Sequence, residues 1–205
     1  MSSYNSTYPV FYIPFGEYTL TNYDFTELSN DKRIINGEDQ GQENLAFGEN
    51  IRILDSYPVL SQKILDLFEK FIDDIGFTAK FSFTTSWLTR LRKGDKIQEH
   101  VHKNCEFSGV LYFDDDYTGQ TPLQFVNPLR HLTQFHDAFA KPSGYVNDWT
   151  LEPKKGLVIF FPSFIYHYAL ESESDKERRS LAFNLAPKGQ YGNGDSTMDT
   201  QWLSS

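Results

Sequence analysis

Gly156-Leu157-Val158-Ile159-Phe160-Phe161-Pro162 is the stretch on which the fold turns. Its apolar run is too short for a core helix and is bounded by glycine and proline, which makes it a buried strand. His167 lies just past it. Upstream, Gln98-Glu99-His100-Val101-His102 places two histidines one residue apart. In an extended segment period-two geometry points both imidazoles to the same side. A third imidazole arriving from across a barrel completes a facial set for a divalent metal, with open positions opposite. The plain alternative is that each is a surface or satisfied core histidine.

Working outward, the chain after Phe77 breaks into short extended segments separated by polar turns. Eight are expected: 81–91, 97–102, 107–113, 123–126, 148–152, 157–161, 166–170 and 178–185. With 18 phenylalanines and 12 tyrosines the composition favours sheets with aromatic faces. Eight such strands without a long helix between them predict a mainly β double-sheet jelly roll. Before them, Leu60, Ile64, Leu67, Phe68, Phe71, Ile72 and Ile75 recur at three and four residues, predicting one amphipathic helix over 58–76 that covers a sheet face. Val10 to Pro14 reads as a strand or extended arm. The segments 36–50 and 127–147 read as long loops suited to covering a substrate. The 205 residues suit a single domain: an arm, loop and covering helix over 1–77, a β core over 78–187 and a tail over 188–205.

The net charge of −9, with Lys176-Glu177-Arg178-Arg179 as the densest basic patch, excludes an electrostatic footprint for nucleic acid. Cys105 is the single cysteine, so no internal disulfide forms and a reducing compartment is expected. The N-terminal residues lack a secretion signal, and no apolar run approaches the ~18 residues of a membrane span. A cytoplasmic protein is expected, with edge strands able to support a homodimer.

The segments Trp87 to Gly94, His100-Val101-His102, Phe107 to Phe113, Gly156 through Ser163 to His167, and Arg178-Arg179-Ser180 to Leu185 together resemble the 2-oxoglutarate/Fe(II)-dependent oxygenases. More narrowly they are similar to a small subgroup of short chains related to the prolyl hydroxylases. The resemblance covers about residues 85 to 186 and implies a double-stranded β-helix of the cupin-like jelly-roll type. In that family a His-x-Asp or His-x-Glu pair and a distal histidine hold Fe(II), while Arg-x-Ser grips the far carboxylate of 2-oxoglutarate. Carried over, His100 and His167 are metal ligands, and His102 occupies the slot usually filled by a carboxylate. Arg178 and Ser180, two apart on one strand, would bind the cosubstrate. Arg179 would point outward, unless a bulge swaps the two arginines. Tyr112 either turns its hydroxyl to the cosubstrate or serves as a core aromatic, and the small Ala182 would leave the cavity open.

Glu106 and Glu99 are poor substitute ligands, the first beyond a turn and the second of opposite parity. His131 and His136, in the long insert, read as surface or substrate-facing residues. The resemblance implies hydroxylation of an unactivated C–H bond in a protein, peptide or small molecule, with peptidyl proline as one candidate. Two other readings stay open: a three-His dioxygenase independent of 2-oxoglutarate, and a non-catalytic jelly-roll binding module.

Overall fold

The computed structural model describes residues 12–36, 51–130 and 148–200 of the chain. In chain order the elements are β1 (Gly16–Thr19), α1 (Thr26–Ser29), β2 (Ile34–Asn36), α2 (Pro58–Asp74), β3 (Lys80–Leu91), β4 (Ile97–His100), β5 (Phe107–Tyr112), β6 (Leu123–Val126), β7 (Asp148–Leu151), β8 (Leu157–Pro162), β9 (His167–Ala169), β10 (Arg178–Tyr191) and β11 (Met198–Thr200). Two sheets face one another. The larger runs β1-β8-β5-β10-β3-β2, with β11 added to the far end of β10, and the smaller runs β4-β9-β6-β7. This is the jelly-roll arrangement expected from the strand pattern, since the eight expected strands all form.

Three strands lie outside that expectation. β1 begins at Gly16, beyond Pro14, which has no N–H to give a ladder, while residues 10 and 11 of the expected Val10–Pro14 segment lie outside the described residues. The strand then pairs antiparallel with β8, Gly16 opposite Phe160. β2 adds to β3 in parallel through Ile34 and Ile35, and β11 pairs with residues 189–191 of β10. All three are short edge additions whose partners are set by the sheet already built. Segments 37–50 and 131–147, and with them His131, His136 and most of both long loops, lie outside the described residues.

Alternation along each strand separates two interiors. On β8, Val158 and Phe160 face α2, while Leu157, Ile159 and Phe161 face the smaller sheet. On β10, Leu181, Phe183 and Leu185 face α2, leaving Arg178, Ser180 and Ala182 on the inner side. α2 starts with Pro58 in its first turn, where a missing N–H costs nothing. It ends at Gly76, whose left-handed φ of 76° lets Phe77 N–H reach Ile72 O at 2.8 Å. Its buried face centres on Phe68, whose ring meets those of Phe81, Phe107 and Phe160 at 5.0, 5.4 and 5.1 Å. Truncating a side chain so enclosed costs about 3–5 kcal/mol, so α2 backs the larger sheet firmly. Gly109 admits the Phe183 ring over its Cα: an added Cβ there would stand 2.3 Å from that ring. No helix among the described residues is long and apolar enough to cross a membrane.

Candidate metal centre and acid pocket

The space between the sheets narrows to a small pocket, partly open to solvent. His100, His102 and His167 line one part of it, and Tyr112, Arg178, Ser180 and Ala182 line another. His100, His102, His167, Tyr112, Arg178 and Ser180, singled out from the sequence for metal and cosubstrate, are therefore in one cavity. Arg179 is not, because the only register shift between β10 and β3 falls at Asn184/Leu185, past both arginines. Trp87 and Thr89, on the inner face of β3, also line the pocket and were not singled out. Their shared parity, and the pairing of Trp87 with Ala182, is the signal that could have found them.

The imidazoles converge because β4 and β9 are neighbours with His100 directly opposite His167. Ring centroids stand 4.3 Å apart for that pair, 5.0 Å for His100 and His102, and 5.1 Å for His102 and His167. One nitrogen from each ring lies within 4.8 Å of the others. Neighbouring nitrogens of a facial set with bonds of about 2.1 Å would stand about 3 Å apart, so the rings would draw inward to close on an ion. The Nδ1 contacts say which nitrogen is left for an ion in two of the rings. His100 Nδ1 lies 2.8 Å from Gln98 O, and His167 Nδ1 lies 2.9 Å from Ile165 O. A carbonyl can only accept, so both Nδ1 atoms carry the proton and both Nε2 lone pairs are free for a metal.

Burial holds all three rings in the neutral, ligand-competent form. It pushes His100 below the usual histidine range against a smaller upward pull from the Gln98 carbonyl. It lowers His102 to about 3, aided by neighbouring His100, and takes His167 well below its ordinary value. No carboxylate lines the pocket among the described residues. Glu99 faces away towards Arg130, and Glu106 is exposed.

The other end presents buried donors. Arg178 is 2% exposed, donates from Nη1 to Thr121 O at 2.5 Å, and lies 5.9 Å from the Tyr112 ring centre. Among the described residues its Nε has no hydrogen-bond partner, and neither has the Tyr112 hydroxyl, which burial keeps protonated. Two buried donors without acceptors, one carrying a full charge, are costly unless a ligand supplies the acceptor. A dianionic keto acid fits that demand, with one carboxylate for Arg178 and a chelating end for a divalent ion among the imidazoles.

A family model described as "Putative 2OG-Fe(II) oxygenase" matches residues 85–184. Among solved structures, the chain is similar to a 2OG-Fe(II) oxygenase family oxidoreductase from Burkholderia pseudomallei. That match has 21% identity and a TM-score of 0.43, over 57% of this chain and 49% of the other. A Pseudomonas putida prolyl-4-hydroxylase matches at 17% identity and a TM-score of 0.41, over 60% of this chain and 62% of its own. HygX from Streptomyces hygroscopicus, solved with nickel and 2-oxoglutarate bound, matches at 11% identity and a TM-score of 0.44, over 67% and 71%. The chain thus spans about half the length of the Burkholderia protein. No curated protein matches it. The residues matched by the 2OG-Fe(II) oxygenase model, 85–184, carry all three histidines and the Arg-x-Ser pair.

Proposed function

We propose that this protein is an Fe(II)- and 2-oxoglutarate-dependent oxygenase that hydroxylates an unactivated C–H bond, releasing succinate and CO2. The observation that carries this reading is the single cavity holding three neutral imidazoles and a buried guanidinium with an unpartnered Nε. His100, His102 and His167 would hold the iron, leaving positions for the keto acid and dioxygen. Bound there, the metal and keto acid supply the oxidising power for the C–H bond. The chain's own residues orient and shelter. Arg178 anchors the far carboxylate through its planar fork, Ser180 and Tyr112 offer hydroxyls beside it, and Ala182 leaves room. A third imidazole in place of a carboxylate leaves the centre one unit more positive, which a dianionic cosubstrate offsets.

A protein, peptide or small cytoplasmic molecule is the substrate class, with peptidyl proline one candidate. We further propose a single-domain unit in which residues 78–187 carry the site. Anaerobic titration with Fe(II) and 2-oxoglutarate tests the assignment: a weak visible charge-transfer band is expected, and its absence at saturating metal overturns it. His102 itself favours one other reading, a three-His dioxygenase that needs no keto acid. Oxygen uptake with substrate present but indifferent to added 2-oxoglutarate would establish that one instead.

A further inference from the structure

The three imidazoles are not held alike. His100 and His167 sit in directly paired strands, and each ring is oriented by the carbonyl two residues before it. His102 sits two residues beyond the end of β4, and among the described residues its ring makes no hydrogen bond, only an edge contact of 5.4 Å with Trp87 and the contacts with the other two rings. Its backbone supplies what the ring lacks, since His102 N–H donates to Ser163 O at 3.1 Å. The loop from His102 passes through Asn104, in the left-handed region at φ 61°, and returns at Glu106, whose carbonyl accepts from Ser163 N–H at 2.9 Å. Both main-chain groups of Ser163 therefore clamp the two ends of the loop that carries the third imidazole.

The side chain of Ser163 is fixed in turn. Ser163 Oγ lies 2.8 Å from Ser108 Oγ, and Ser108 Oγ donates to Asn184 Oδ1 at 2.8 Å. Because the Ser108 proton is committed to that amide oxygen, Ser163 must be the donor in the serine pair. Asn184 Nδ2 then donates to Thr85 Oγ1 at 3.0 Å. The row crosses the adjacent strands β8, β5, β10 and β3. Ser108 and Ser163 are 1% exposed and Asn184 is 8% exposed. Apolar residues of similar shape would pack there without the desolvation cost, so the row's contribution is geometric: it fixes the end of β8 where Ser163 meets the loop.

We propose that Ser163 is a positioning residue for His102, holding the loop-borne imidazole in the metal-binding position through this buried polar row. The inference rests on the metal reading above. The test is Co(II) titration of the full chain, followed by visible absorption, for wild type, Ser163→Ala, His102→Ala and the double variant. Ser163→Ala is expected to weaken Co(II) binding about 10-fold, as loss of an outer support does elsewhere. In the His102→Ala background the same change should add less than about 2-fold, because its route to the metal is gone. Equal losses in both backgrounds would mean a general packing role and overturn the proposal, as would a Ser163→Ala affinity equal to wild type. If Ser163→Ala does not fold by circular dichroism, Ser108→Ala breaks the same row and carries the same expectations. A wild-type chain that takes no Co(II) overturns the metal reading and this inference together. Metal uptake unaffected by either serine overturns only the inference.

Discussion

Arg178 and Arg179 are neighbours in sequence and opposites in surroundings. Arg179, on the outer face of β10, donates to the Asp114 carboxylate from Nε and Nη2 at 3.3 and 2.5 Å, and to Ser29 O from Nη1 at 2.6 Å. Its charge is matched and most of its fork is used. Among the described residues Arg178, on the inner face, has one carbonyl, one aromatic face and no carboxylate. A guanidinium does not shed its proton, so burial leaves the second charge without a counter-ion. The same side chain thus does two jobs one residue apart. Outside it ties the β5–β6 turn to β10 and the N-terminal segment, and inside it lines the cavity with its Nε free of a partner among the described residues.

The largest effect should follow from breaking the inner half of this contrast. Arg178→Met is expected to weaken 2-oxoglutarate binding to the metal-loaded protein at least about 100-fold, in the range of truncating one member of a buried charged pair. Co(II) affinity should stay within about 2-fold, since Arg178 is not one of the three clustered ligand candidates. The ligand-free variant should also melt no lower than wild type, and higher if relief of the unmatched charge exceeds the lost contact with Thr121, because an uncompensated buried charge opposes folding. Calorimetric titration and a thermal melt read both. Arg178→Lys keeps the charge but not the fork, and about 10-fold weaker keto-acid binding is expected. A lysine variant equal to wild type would reduce the role of Arg178 to that of a point charge.

How much of this contrast could be read from the sequence follows from what sets each part. The inward direction of Arg178 was legible because it shares parity with Ser180 and Ala182, and the outward direction of Arg179 follows from the same period. The eight strands and α2 were legible because alternating and helical apolar patterns are local properties. The acceptors were not. Thr121 O holds Arg178, and Ser163 O holds His102, yet every residue carries a carbonyl, so only the folded topology selects which one arrives. β1, β2 and β11 were hidden for a related reason: three- or four-residue edge strands take their pairing from neighbours distant in sequence.

The cavity's excess of bases over acids predicts a smaller, pH-gated effect. Burial lowers the folded-state values of His100, His102 and His167 below 6.5, the last two also through mutual repulsion. The unfolded chain therefore binds more protons than the folded one below that pH. Their contribution to stability is fully present above 6.5 and is lost as pH falls from 6.5 through the folded values, about 3 for His102. Metal-free protein should lose melting temperature over that window. Saturating Co(II) at the upper end, near pH 6, should restore much of the loss by competing with protons for the same nitrogens. A melting temperature flat from pH 7 to 5 in the metal-free protein would contradict the burial of these rings.

The smallest expected change comes from breaking the outer half. Side-chain exposures of 26% for Arg179 and 11% for Asp114 place their pair between a surface bridge and a buried one. Arg179→Ala should cost about 1–2 kcal/mol, above an exposed pair and below a buried one. That corresponds to a melting point lower by about 2–8 °C in a chain of this size. Tyr117 limits the damage, since its hydroxyl accepts from Phe113 N–H and Asp114 N–H at 2.9 Å each and donates to Arg179 O at 2.6 Å, holding the turn to β10 through the backbone. The keto-acid affinity of the metal-loaded variant should remain within about 2-fold of wild type, because Arg178 reaches the cavity from the opposite face and takes its support from Thr121. Loss of keto-acid binding in Arg179→Ala comparable to that in Arg178→Met would show that the two faces of β10 act as one unit, and that charge matching on the outside sets the aim of the guanidinium within.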